Sequence, residues 1–130
     1  MTTGRLIRSA LTGESMPMFG TGEQSRDFTY VGDIVAATVE AAWARIQGDE
    51  VFNVAGGSET TLRELIDIVG SVCGRMSVLD VQGAARGDVV RTEADTTRAR
   101  SGFGWTPKVG LRDGIERQVA WQRSAIARSC

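Results

Sequence analysis

The chain has 130 residues, 42% of them hydrophobic and 24% charged, with 15 basic and 16 acidic side chains and a net charge of -1. This length and composition predict one globular domain with a single core, 1–130, and exclude a disordered chain. The charge balance argues against a nucleic-acid partner, and the lack of histidine removes Ser-His-Asp and Cys-His catalysis and every histidine metal site.

Leu6, Ile7, Ala10 and Leu11 fall at helical spacing, with Gly13 as a stop. Residues 16–19 read as a short strand, and Gly20-Thr21-Gly22-Glu23 as a turn. Asp27 to Tyr30 reads as a second extended segment. A helix is predicted from Asp33, with that carboxylate as its cap, to about Ile46, burying Ile34, Val35, Thr38, Val39, Ala42 and Ile46. Val51 to Ala55 suits a buried strand ending in Gly56-Gly57. Thr61-Leu62-Arg63-Glu64 fits a capping box, whose helix uses Leu65, Ile66, Val69 and Val72 and ends near Gly74. Ser77 to Val81 reads as a strand and Gly83 to Glu93 as a polar loop. Asp95 caps a short helix through Arg100, which the Gly102 to Pro107 segment breaks. Leu111, Ile115, Val119 and Ala120 mark a last helix, with 124–130 as a frayed tail. Alternating strands and helices indicate an α/β fold.

No apolar run approaches the roughly 20 residues of a membrane span, and Met1-Thr2-Thr3-Gly4 opens directly into an amphipathic pattern. A reducing cytoplasm is therefore the expectation. Cys73 and Cys130 make no disulfide framework, and Cys73 reads as a small apolar residue. Gly20-x-Gly22 lacks the third glycine and the following helix of a dinucleotide loop. Val54-Ala55-Gly56-Gly57 is either a phosphate-receiving turn or simply a strand end before a capped helix. Arg26, Arg86 and Arg91 stand near loops, where a guanidinium fork suits phosphate oxygens or forms a solvated surface charge.

Five segments carry a family resemblance in their order and spacing. They are Pro17-Met18-Phe19-Gly20-Thr21-Gly22-Glu23-Gln24, Arg26-Asp27-Phe28-Thr29-Tyr30-Val31-Gly32-Asp33, Val51-Phe52-Asn53-Val54-Ala55-Gly56-Gly57, Arg91-Thr92-Glu93-Ala94-Asp95, and Trp105-Thr106-Pro107 before a Leu-x-x-Gly-Ile helix. Together they resemble nucleotide-sugar epimerases and dehydratases of the extended short-chain dehydrogenase/reductase (SDR) family, of the UDP-glucose 4-epimerase type. The resemblance covers the carboxyl-terminal, substrate-binding part of such enzymes, without the complete Rossmann domain.

That resemblance implies a UDP- or dTDP-linked sugar as ligand. It implies Arg26 as a diphosphate contact, against the alternative of a structural pairing with Asp27 or a turn carbonyl. It further implies Pro17, Met18 and Phe19 along the nucleotide base, with core packing as their alternative, and Asp88 near the ribose. Arg86 directly precedes Gly87, whereas the family arginine sits one place earlier, where this chain has Ala85. Arg86 and its substitute Arg91 are thus both candidates for a second diphosphate contact. Gly32 stands where many members have Asp. Asn53, Asp95, Trp105 and Pro107 are read as structural. The catalytic Tyr-x-x-x-Lys pair is not matched, because the single tyrosine, Tyr30, is followed by Ile34. No catalytic residue is therefore assigned. The NAD or NADP of the full-length family is not expected on this chain alone. Two readings remain. One is the sugar-nucleotide-binding part of an enzyme. The other is a truncated, non-catalytic module that forms homo-oligomers or joins a separate Rossmann partner, through apolar surface at Phe52, Val54 and the helix after Asp33.

Overall fold

The computed structural model describes residues 2–46, 48–84 and 89–128. Two small sheets and five helices make up the α/β fold of the described residues. Helix α1 (Thr2–Thr12) ends where Gly13 adopts a φ of 80° and its N–H reaches back to the Ser9 carbonyl at 2.8 Å. Strand β1 (Met16–Phe19) runs parallel to β4 (Leu79–Gln82), with Met18 opposite Val81 and Phe19 opposite Gln82. Strand β2 (Ser25–Asp27) runs antiparallel to β3 (Glu59–Thr61), with Arg26 opposite Thr60. The strands at 16–19 and 77–81 follow expectation to within one or two residues. Strand β3 was not legible as one, since its three residues are polar.

Helix α3 (Leu62–Cys73) carries the predicted capping box. The Thr61 hydroxyl accepts from the Glu64 N–H, the Glu64 carboxylate accepts from the Thr61 N–H, and Gly74 closes the helix at a φ of 74°. Its apolar face meets α1 and α5 (Leu111–Arg128) in the main core, where Leu6, Ile7, Leu65, Val69, Ile115 and Val119 are sealed from solvent. Each such side chain contributes about 1.5–3 kcal/mol by burial. Two serines tie α1 to the approach of β4. Ser9 exchanges hydrogen bonds with both backbone groups of Val78, and Ser77 donates to the Leu6 carbonyl. Cys73 is half-buried, and burial pushes its thiol above the ordinary range. Helix α5 continues through residues 124–128 rather than fraying there, with Gln122 donating to the Gly4 carbonyl and Arg123 to that of Cys73.

A second, smaller core joins α2 (Val31–Trp43) to α4 (Thr97–Phe103). Ala37, Ala99 and Trp105 are buried there, with Phe52, Val54 and Phe103 against them. Phe52 and Phe103 meet edge to face at 5.1 Å. Thr96, not Asp95, holds the cap position of α4, without a side-chain cap bond; Asp95 accepts from the Thr97 N–H at 2.9 Å from one residue earlier, and Asn53 donates to the Asp95 carbonyl.

Several expectations fail in this region. Helix α2 begins two residues earlier than predicted and stops at Trp43 rather than Ile46. Its buried positions are Asp33 and Ala37, whereas Val35 and Val39 are exposed. The apolar stripe predicted to lie inside thus faces outward. Asp33 does not cap the helix either; Tyr30 holds the cap position without a side-chain bond. Residues 51–55 form no strand and pair with neither two-stranded sheet of the described residues. Phe52 and Val54 are half-buried against the smaller core, so they are less exposed than the truncated-module reading requires.

Candidate anion site and adjoining cleft

Arg26 sits in the middle of β2, and its Nη1 donates to the Ser25 carbonyl at 2.7 Å. The structural pairing with a carbonyl is therefore present. A guanidinium has five N–H donors, so this bond also orients the group. Ser25 is held from two further sides. Its N–H donates to the Val90 carbonyl at 2.9 Å, and its carbonyl accepts from the Thr92 N–H at 3.3 Å. These bonds make a parallel bridge between Ser25 and Arg91.

The segment after β4 is consequently fixed at both ends. It departs beside Phe19, where the Gly20 N–H donates to the Gln82 carbonyl at 3.1 Å, and returns beside Arg26. Arg86 and Asp88 lie outside the described residues. Phe19 is 41% exposed at the tip of β1, with its carbonyl accepting from the Gln24 amide at 2.9 Å. Met18 packs against the main core, as its alternative reading required, and Pro17 is half-buried beside it. Arg91 is engaged by two carboxylates, Glu59 at 2.7 Å and Glu93 at 2.8 Å. Glu59 is held below the ordinary carboxylate range, first by the Ser25 hydroxyl and then by Arg91. A phosphate approaching Arg91 must compete with both acids.

On the other side of Arg26 opens a cleft of about 760 Å³, lined by Arg26, Phe28, Tyr30, Leu111, Arg117 and Trp121 among others. Phe19 and Met18 do not line it. The cleft thus adjoins Arg26 but none of the other described candidates, Pro17, Met18, Phe19 and Arg91.

Asp33 does its work below this cleft. Its buried carboxylate accepts from the N–H groups of Lys108 and Val109 at 3.1 and 3.0 Å, and its carbonyl accepts from the Trp105 indole at 3.1 Å. This anchors the turn that leads into α5. Asp27 plays a similar part for the Gly56-Gly57 turn, accepting from the Gly57 N–H at 3.3 Å. A Cβ at Gly56 would lie 2.2 Å from the Phe28 carbonyl oxygen. The turn is therefore packed against Asp27 and Phe28, and it leads into β3. Gly20 and Gly22 lead into β2 and not into a helix. No group of three or more potential ligands for a metal occurs among the described residues. No helix among them is long and apolar enough to cross a membrane.

The order of elements and the strand, Gly-x-Gly, Arg-Asp-Phe sequence around Arg26 define the class as nucleotide-sugar epimerases and dehydratases of the extended SDR type. Residues 3–118 match the family described as GDP-mannose 4,6 dehydratase, and the chain belongs to it. It is 36% identical over 114 residues to the UDP-glucose 4-epimerase of Mycolicibacterium smegmatis, covering 88% of this chain and 36% of that one. A putative UDP-glucose 4-epimerase of Methanocaldococcus jannaschii is 35% identical over 119 residues, covering 91% and 37%. The solved structure of MoeE5 in complex with UDP-glucuronic acid and NAD superimposes with a TM-score of 0.93 at 37% identity, over 96% of this chain and 42% of that one. This chain spans well under half the length of these relatives.

Proposed function

We propose that this chain is the nucleotide-diphosphate-sugar-binding portion of an NAD(P)-dependent sugar epimerase or dehydratase, with Arg26 as its diphosphate contact. The observation that carries this reading is a pair of backbone anchors. Gln82 is hydrogen-bonded to Gly20 beside Phe19, and Val90 and Thr92 are hydrogen-bonded to Ser25 beside Arg26. An exposed aromatic edge and a guanidinium oriented by the Ser25 carbonyl therefore stand at the two anchors. In this arrangement the base lies along Pro17 to Phe19, the diphosphate against Arg26, and the sugar points into the cleft toward Tyr30. Asp88 meets the ribose, and Arg86 or Arg91 adds a second cation. No chemical step is assigned to these residues.

Titrating the chain with UDP, UDP-glucose and a dTDP-sugar by calorimetry or NMR tests the reading. A charge-assisted hydrogen bond to phosphate contributes about 1.5–3 kcal/mol, so Arg26→Ala should weaken binding roughly 10- to 100-fold. Equal affinity of wild type and Arg26→Ala, or no binding by wild type at millimolar ligand, rejects it.

A specific observation also favours association. Val31, Val35, Val39 and Trp43 are 68%, 57%, 50% and 83% exposed and recur every four residues along α2. A contiguous apolar stripe of this kind takes a partner, either a second copy or a separate Rossmann partner. Light scattering at micromolar concentration tests the second copy: a monomer rejects it.

A further inference from the structure

Tyr30 and Arg117 form a pair in the cleft that no motif announced. The Arg117 guanidinium carbon lies 5.0 Å from the centre of the Tyr30 ring, in cation–π range. Two glycines make room for the ring. A Cβ at Gly32 would come within 2.6 Å of Tyr30, and one at Gly114 within 3.4 Å. Arg8, Arg63, Arg91, Arg98 and Arg112 are each ion-paired to a carboxylate. Arg117 makes no ion pair with a described residue. Tyr30 acts most strongly on its charge, followed by the more distant Asp113 and Asp33, and Asp33 is committed to the Lys108 and Val109 N–H groups.

The remaining walls of the cleft include Phe28, Leu111, Ile115 and Trp121. Its volume falls within the roughly 300–1,000 Å³ of small-molecule sites. Of the charged lining residues, Arg26 and Arg117 outnumber Asp27, and Asp27 is turned to the Gly57 N–H. Two guanidiniums, one on β2 and one on α5, thus face a common space walled by aromatic and aliphatic groups. That charge distribution complements a ligand with more than one anionic group and an apolar face.

Resting on the reading of Arg26 given above, we infer that Arg117, held over Tyr30, is a second anion-binding residue of the cleft and contacts an acidic oxygen of the nucleotide sugar beyond those bound by Arg26. That oxygen belongs either to the second phosphate or to a carboxylate on the sugar. Both ligand types have structural precedent, since MoeE5 is solved with UDP-glucuronic acid and with UDP-glucose.

The test is a three-ligand titration of the full chain with UDP, UDP-glucose and UDP-glucuronic acid. Wild type, Arg26→Ala, Arg117→Gln and Arg117→Lys are compared. Arg117 is an exposed helical residue, so the glutamine variant should fold, as circular dichroism will verify. A roughly 10-fold loss for Arg117→Gln with all three ligands, partly restored in Arg117→Lys, assigns Arg117 to the diphosphate. The same loss confined to UDP-glucuronic acid assigns it to the sugar carboxylate. Unchanged affinities in Arg117→Gln alongside weakened binding in Arg26→Ala overturn this inference and leave the diphosphate role of Arg26 standing. Unchanged affinities in Arg26→Ala, or no binding by wild type, overturn the underlying reading instead.

Discussion

Replacing Asp33 with alanine removes the acceptor shared by the Lys108 and Val109 N–H groups and leaves the α2 backbone intact. Each is a charge-assisted bond of about 1.5–3 kcal/mol, and water can reach the partly exposed donors once the carboxylate is gone, so the lower end applies. The expected loss is therefore about 3 kcal/mol. At about 2.1 cal/mol/K of unfolding entropy per residue, this corresponds to a fall in Tm of roughly 10 °C. Asp33→Asn keeps one acceptor oxygen and should lose about half as much. A charge that merely favours the helix N-terminus contributes only about 0.3–1 kcal/mol, so the size of the loss separates the two roles. Urea unfolding followed by tryptophan fluorescence is the assay, since Trp105 is buried and donates to the Asp33 carbonyl. A loss under about 1 kcal/mol for Asp33→Ala would refute the anchoring role and restore the simple first-turn one.

Other sites give sharper yes-or-no outcomes. Gly56→Ala forces a Cβ toward the Phe28 carbonyl, a backbone atom that cannot swing aside. It should cost about 3 kcal/mol, the upper end of overpacking, and an unchanged melting temperature would show that this approach is not so close. Glu64→Ala breaks the capping box and should lower the melting temperature at pH 7. Hydrogen bonds from the Thr61 backbone and hydroxyl hold the Glu64 carboxyl below its ordinary value of 4.5. Its contribution is therefore full above that value and lost as the pH falls through the lower folded one. The difference between wild type and Glu64→Ala should shrink with acid across that window, and a pH-independent difference excludes the linkage.

The chain's local chemistry was legible wherever the partners lie within one turn or one strand of each other. Thr61 and Glu64, Gly13 and Ser9, and the periodic Leu6, Ile7, Leu65 and Val69 all declared their roles, because helical hydrogen bonds and apolar spacing act over three or four residues. The ordered motifs around Arg26 declared the family for the same reason, as they are contiguous. The facing of α2 was misjudged because its outward side is the more hydrophobic one. Periodicity locates an apolar stripe but does not say whether a partner within the described residues covers it.

Asp33 illustrates the limit further. By sequence it is an acid at a helix start, and only the return of residues 105–109 to its side reveals its buried bonds. Residues 51–55 have strand composition, yet they pair with neither sheet of the described residues, and Phe52 and Val54 pack against the smaller core instead. The Tyr30–Arg117 pair joins positions on α5 and before α2 that no local rule connects. The sequence by itself determined the family, the α3 capping box and the main core, since each is written in short-range spacing. The tertiary structure alone decided which face of α2 is exposed, what Asp33 holds, and that a second arginine shares the cleft with Arg26, because such contacts exist only once distant segments fold together.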